Sequence, residues 1–267
     1  MRRLSYLVMF SIITLVALVP IAGAQGSEQT VSTQEATSQD TQGSQQAGST
    51  RTNPCKNPDP SNFVRKVDNK FFPLEPGTTF VYKGEEEGVP SRNTVEVTHD
   101  TKTILGIDTT VVHDRVFKGK GQKEYLAEDT FDWYAQAKDG TVCYFGEDTK
   151  ELDKNGNVIS TEGSWEAGVN DAKPGIIMEA HPKVGDTYQQ EFAAGVAEDM
   201  AKVLSLDKST CVPYGCFDHL LLTKEWTPLE PGVVEHKYYA KNIGFVREVT
   251  VKGGKERSEL VRITTGS

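Results

Sequence analysis

From about residue 70 onward, apolar and polar positions alternate in short runs. Turn-forming residues interrupt them every ~8–12 positions, the pattern of barrels and sandwiches. Thr78-Thr79-Phe80-Val81-Tyr82 is one run, closed by Gly84, and Thr94-Val95-Glu96-Val97-Thr98 and Thr141-Val142-Cys143-Tyr144-Phe145 are two more. Asp139-Gly140, between Trp133-Tyr134-Ala135 and the last of these, is a two-residue hairpin signal, and Asn155-Gly156 before Val158-Ile159 is another. Further strands are expected over 110–116, 220–226, 235–240, 244–251 and 260–264. Helical periodicity is scarce. The expected fold is all-β: a curved antiparallel sheet forming a barrel or half-barrel.

The two halves of this pattern run in parallel. Gly77-Thr78-Thr79-Phe80 lines up with Gly185-Asp186-Thr187-Tyr188, Gly88-Val89 with Gly195-Val196, and Asp100 with Asp207. Gly106 matches Gly215, and Trp133-Tyr134-Ala135 with Gly140 and Val142 matches Tyr238-Tyr239-Ala240 with Gly244 and Val246. This predicts a duplicated β-meander, with halves of about 70–162 and 183–265. It also decides an ambiguous segment. Phe192, Val196, Met200 and Val203 have helical spacing, yet the alignment sets 200–207 against the strand 93–100. A strand is therefore expected there, with a short helix from Ala197 as the alternative. Between the halves, 163–182 reads as a long irregular connection carrying Trp165, Ile176, Ile177 and Met178. Such a connection covers one mouth of the sheet or acts as a lid over a cavity.

Ahead of the β region stand two segments of different character. Arg2 and Arg3, an apolar run over 4–21 and Ala22-Gly23-Ala24 make a signal peptide of 1–24, with export as its consequence. The rival is an uncleaved anchor. No cysteine follows the cleavage site, the first being Cys55, and no second apolar stretch is long enough to span a bilayer. Residues 25–53 are rich in Ser, Thr and Gln and are expected to be a disordered linker. One domain, 54–267, remains. The net charge of −9 argues against nucleic acid as a partner.

Four cysteines in an exported chain imply disulfides, with three pairings open. Cys211 and Cys216 flank Val-Pro-Tyr-Gly, a tight reversal that brings them within reach of each other. Cys55 with Cys143 is then the remaining pair, stapling the domain's start to a central strand. A Cys-x4-Cys without nearby histidines is poor zinc spacing.

Asp132-Trp133-Tyr134-Ala135-Gln136, Asp139-Gly140 and Tyr144-Phe145-Gly146-Glu147 resemble a family of secreted bacterial proteins and lipoproteins of unknown function. Gly163-Ser164-Trp165-Glu166-Ala167-Gly168-Val169 and Lys173-Pro174-Gly175-Ile176-Ile177-Met178 belong to the same resemblance, which covers most of 68–249. It implies export and a β fold and brings no activity with it. In layout, Pro73-Leu74 with Gly77 and Phe80 is similar to bacterial half-barrels that carry lipoproteins or lipids.

No catalytic motif emerges. His99, His113, His181, His219 and His236 form no ligand-like pair, and the acids beside His99, His113 and His219 point to the opposite strand face. Ser164 lacks nucleophile-elbow spacing. Asp153-Lys154-Asn155-Gly156-Asn157 is similar to a calcium loop, but its glycine comes too early and a hairpin turn explains it. No cofactor or metal is expected. Aromatic side chains cluster at the hairpins, and each adjacent pair should split between the two sheet faces. The expected function is an exported, non-catalytic binder of an apolar or amphipathic small molecule or lipid. Trp133, Tyr144, Trp165, Ile177, Met178 and Tyr239 are the candidate ligand contacts. The alternatives are an extracellular structural or interaction module and an exported hydrolase. The oligomeric state is not legible.

Overall fold

The structure is a computed structural model that describes residues 53–266; the signal-peptide reading and nearly all of the linker reading lie outside the described residues. Among the described residues eighteen strands follow one another. The short opening strands are β1 (Phe63–Val64), β2 (Val67–Asn69) and β3 (Phe72–Leu74). A long antiparallel meander comes next: β4 (Thr78–Glu86), β5 (Val89–Ile104), β6 (Ile107–Lys118), β7 (Tyr125–Ala137) and β8 (Val142–Leu152). Short strands join the halves: β9 (Val158–Ser160), β10 (Trp165–Glu166), β11 (Lys173–Met178), β12 (Thr187–Gln189) and β13 (Glu191–Phe192). The second meander comprises β14 (Met200–Val212), β15 (Gly215–Trp226), β16 (Val234–Ala240) and β17 (Gly244–Lys252), and β18 (Arg257–Thr265) pairs it back to β4.

The sheet order is β12-β14-β15-β16-β17-β18-β4-β5-β6-β7-β8-β11-β13. The two ends of this order belong to one stretch of chain. Thr187–Gln189 pairs with β14, and two residues on Glu191–Phe192 pairs with β11. That single stretch brings the sheet to a nearly closed barrel.

The β2–β3 hairpin sits against the turns at one end. The Asn69 side-chain amide donates to the carbonyls of Gly140 (2.8 Å) and Glu179 (3.1 Å). The backbone N–H groups of Asp68 and Asn69 both donate to Gln136 Oε1, and Gln136 Nε2 returns a bond to Asp68 Oδ1. The Asn242 N–H donates to Lys70 O at 2.6 Å, so the hairpin touches the β7–β8 turn and the β16–β17 turn together.

Each strand named from sequence is present, and Met200–Val212 is a strand where a helix from Ala197 was the alternative. Ala193 and Ala197 instead close a tight turn through two mutual backbone bonds. The 163–182 connection is a correction. Lys173–Met178 is neither cover nor lid but a strand of the sheet, in register with β8 through Gly175↔Tyr144 and Ile176↔Cys143. Its Pro and Gly disguised it. Gly175 is required by contact, since a Cβ there would stand 2.3 Å from the backbone carbon of Gln190.

Both cysteine pairs are bonded as expected, Cys55–Cys143 across 88 residues and Cys211–Cys216 across the β14–β15 hairpin. The aligned glycines of the two halves hold matching positions. The Gly77 N–H donates to Val97 O at 2.8 Å with φ +83°, and the Gly185 N–H donates to Val203 O at 2.9 Å with φ +99°. Left-handed backbone of this kind favours glycine. The two glycine turns thus share one geometry.

Candidate functional site

Alternation along a strand sends every second side chain to one face, and on β6, β7 and β8 the buried face carries carboxyls among apolar side chains. On β6, Val112, Asp114 and Val116 are buried while His113, Arg115 and Phe117 are half-exposed. The register carries this inner face sideways: Asp114 opposes Thr130, Val112 opposes Asp132, and on the next pair Glu128 opposes Glu151 and Asp132 opposes Glu147. All of these acids are buried. Like charges directly opposite each other in a sheet are unfavourable, so such an arrangement is tolerable only with protons or cations among them.

The titration behaviour follows. Burial pushes Glu128 up to about 8, against the pull of the Thr130 hydroxyl and Lys118. Burial likewise pushes Asp132 up to about 7, although the Tyr144 hydroxyl donates to its Oδ1 at 2.6 Å. Asp114 rises well above the carboxylate range, first through burial and then through Asp132 and Glu128. Tyr144 stacks on Tyr134 at 4.7 Å, which in turn meets the edge of Phe72 at 5.2 Å, so an aromatic layer adjoins the acids.

The second half carries its acids around a lysine. Lys237 Nζ lies 2.8 Å from Glu225 Oε2, 3.7 Å from Glu248 and 4.0 Å from Glu235. Burial opposes the ammonium charge, yet Glu225, Glu248 and Glu235 together hold Lys237 well above its usual value. Burial raises Glu235 to about 7 despite Lys237, and raises Glu248 well above its ordinary range, with Glu235 adding to the effect. The hydroxyls of Tyr239 (3.2 Å) and Thr223 (2.6 Å) donate to Glu225 Oε1. Among the described residues Lys237 is the buried basic side chain, and Lys118, bonded to Glu86 at 2.9 Å, stands at the margin with 13% of its side chain exposed.

At the join between the ends of the sheet, Trp165 Nε1 donates to Glu191 Oε2 at 2.8 Å, and burial, with Asp199 and Glu147 nearby, raises Glu191 well above its ordinary range.

The six candidate ligand contacts are all buried, at 6% exposure or less. Tyr144, Trp165 and Tyr239 touch the interior acids or their tyrosine partners, and Trp165 meets the edge of Tyr144 at 5.5 Å. Trp133 is on the opposite face, opposing Val111, with Lys102 Nζ 3.3 Å from its ring centroid. Ile177 and Met178 lie on β11, beside β8. Trp133 and Tyr134 do split between faces as expected, but both faces are buried there. On β8, Phe63 packs on Phe145 at 5.7 Å and the Cys55–Cys143 bond adds to the cover.

Two histidines pair with acids from other strand positions. His113 Nε2 lies 2.6 Å from Asp129 Oδ1, and His219 Nδ1 lies 2.6 Å from Asp207 Oδ1. Asp153 accepts from the Asn155 and Asn157 backbone N–H groups, which is the hairpin turn expected there. Among the described residues no three His, Cys, Asp or Glu side chains converge as metal ligands. No helix in the described residues is long and apolar enough to cross a membrane.

The interior acids are what the sequence reading missed. Their signal was present as Glu or Asp at alternate positions, Glu128-x-Thr130-x-Asp132 and Glu147-x-Thr149-x-Glu151. Polar residues with period two are ordinarily assigned to the solvent face, and here they lie on the buried one.

No protein-family model and no curated protein matches the chain. Among solved structures it is similar to a "putative exported protein with YMCC-like fold" from Bacteroides fragilis NCTC 9343. That match has 14% identity and TM-score 0.42, covering 74% of this chain and 100% of that one. It is also similar to a "putative lipoprotein" from Parabacteroides distasonis ATCC 8503, at 14% identity and TM-score 0.40, covering 73% of this chain and 99% of that one. At these values neither likeness carries an argument about function. The two disulfides suit an oxidising compartment.

Proposed function

We propose that this chain is an exported, non-catalytic binding protein whose barrel interior accepts an amphipathic ligand with a basic end. One observation carries the reading: aromatic rings and buried carboxyls share the same inner face, with Tyr144 on Asp132, Trp165 on Glu191 and Tyr239 on Glu225. Rings offer a ligand's apolar part a surface, and carboxyls in excess of Lys237, giving up their protons as an ammonium group enters, offer that group its partners.

The test is native mass spectrometry on residues 54–267 produced in an oxidising compartment, with dodecylamine and dodecanoate as probes. The reading expects retained dodecylamine adducts that vanish on denaturation and no comparable dodecanoate adducts. Equal retention, or none of either, would refute it.

A surface-acting module is the second reading. Val158 and Ile159, 52% and 59% exposed on β9, favour it as an apolar contact on the outer side.

A further inference from the structure

On the outer wall of the second meander lysine stands opposite lysine. Lys202 on β14 is in register with Lys224 on β15, Lys224 with His236 on β16, His236 with Val249 on β17, and Val249 with Arg257 on β18. Lys202 and Arg257 are exposed, and the three residues between them are half-buried. Neighbouring strands lie ~4.8 Å apart, so the row crosses the sheet for about 19 Å. Like charges directly opposite one another cost a sheet stability, and Lys202 with Lys224 is such a pair.

The acids that would answer these cations face the other way. One position along their strands, Glu225, Glu248 and Glu235 turn to the buried Lys237, at 2.8, 3.7 and 4.0 Å. Glu259 on β18 is taken by Arg247 at 3.6 Å. Among the described residues Lys202, Lys224 and Arg257 form no ion pair, although Glu85 on β4 is in register with Arg257. Burial first, then Lys224 and Lys208, hold His236 below the value of an ordinary imidazole. On a chain of net charge −9 the row is a local reversal of sign.

Half-buried rings flank the row on the same face. Trp226, two positions beyond Lys224, has the Lys224 ammonium 4.7 Å from its centroid, and Tyr238, two beyond His236, has the Arg247 guanidinium at 5.8 Å. Three kinds of anion would meet this surface differently. A flat bilayer touches the convex wall of a nearly closed barrel only along a narrow strip, whereas this row runs around the curve. An acidic peptide docks on a sheet chiefly through the backbone groups of an edge, and β15, β16 and β17 are already paired on both sides. A linear acidic polysaccharide needs no edge. It follows the curve, sets its acid groups against successive cations and packs the C–H faces of its sugars on the rings. We propose that the outer face of β14–β18 is a docking surface for such a polysaccharide, with Lys202, Lys224, His236 and Arg257 taking its charges and Trp226 and Tyr238 its sugar rings. This surface lies across the wall from the interior carboxyls, and its use does not depend on the binding reading above.

Calorimetric titration of the exported chain, its disulfides intact, with polygalacturonate tests this at about 20 mM and about 500 mM salt. Binding is expected at low salt and should weaken at least about tenfold at high salt. The double variant Lys202→Gln with Lys224→Gln should lose at least about tenfold in affinity at low salt. Lys154→Gln, exposed on the β8–β9 turn, should lose nothing. Trp226→Leu should weaken polygalacturonate and leave poly-L-glutamate unchanged. Should the double variant fold poorly, Lys202→Glu alone, at an exposed position, carries the charge test. No binding of polygalacturonate at low salt would overturn the proposal, as would an equal loss in Lys154→Gln. Poly-L-glutamate or phosphatidylglycerol vesicles held more tightly than polygalacturonate would assign the row to a peptide or a bilayer and overturn it as well.

Discussion

Lys237 Nζ sits 2.8 Å from Glu225 Oε2, with 7% and 4% of the two side chains exposed. A buried pair of this kind is poor evidence of net stabilisation, because both ions have left water. Losing one partner is another matter. Lys237→Met strands Glu225 beside Glu248 and Glu235, and urea unfolding at neutral pH should show a loss of about 3–5 kcal/mol. At pH near 5 the deficit should shrink, since protonated neighbours no longer need the ammonium. A loss below about 1 kcal/mol at neutral pH would mean that the acids are not held by Lys237.

The pH dependence of stability should run opposite to that of a protein held by surface ion pairs. Glu128, Asp132, Asp199 and Glu235 are raised to about 8, 7, 7 and 7. Between the unfolded carboxylate values and these, the folded chain binds more protons than the unfolded one. Unfolding free energy therefore falls as pH rises. Urea midpoints should drop steadily from pH about 5 to about 8. A midpoint that rises over this window would contradict the protonated interior.

Tyr144→Phe removes the hydroxyl that donates to Asp132 at 2.6 Å while keeping the ring that stacks on Tyr134. The hydroxyl pulls the Asp132 value down, so its removal should raise that value further. The cost should be about 1–3 kcal/mol, as for a buried polar group deprived of a partner. Thermal unfolding checks the cost, and unchanged stability would show that water replaces the phenol.

The two disulfides should differ in worth. Cys55–Cys143 closes 88 residues and Cys211–Cys216 only 5. Chain-entropy arithmetic gives about 4–5 kcal/mol for the first and about 2 for the second. Paired alanine variants compared in urea should reproduce that order, and the reverse order would point to strain or residual unfolded structure.

Much of this architecture was legible because it rests on local rules. Asp139-Gly140 and Asn155-Gly156 mark hairpins by turn chemistry, and the aligned Gly77 and Gly185 mark equivalent left-handed turns. Cys211 and Cys216 were close in sequence, so their bond needed no knowledge of the fold. Lys173–Met178 was misread because its Pro174 and Gly175 look like loop residues. Gly175 is there for a neighbouring strand 15 positions away, which no local window contains. The interior was hidden for a different reason. Glu147 and Glu151 alternate with Asp148 and Lys150, so both faces of that strand are polar, and only the closure of the sheet determines which face leaves water. Trp133 was grouped with Tyr144 as a ligand contact because aromaticity is visible in sequence and strand parity across the bulge between Asp132 and Tyr134 is not.

The claim beneath all of these expectations is that the barrel encloses carboxyl groups that keep their protons at neutral pH. Carbon-13 NMR of carboxyl-labelled Asp and Glu in residues 54–267, titrated across neutrality, measures this directly. The account predicts that Asp132 and Glu128 titrate near about 7 and about 8. Titration of every carboxyl in the usual solvated range of about 3–5 would contradict it.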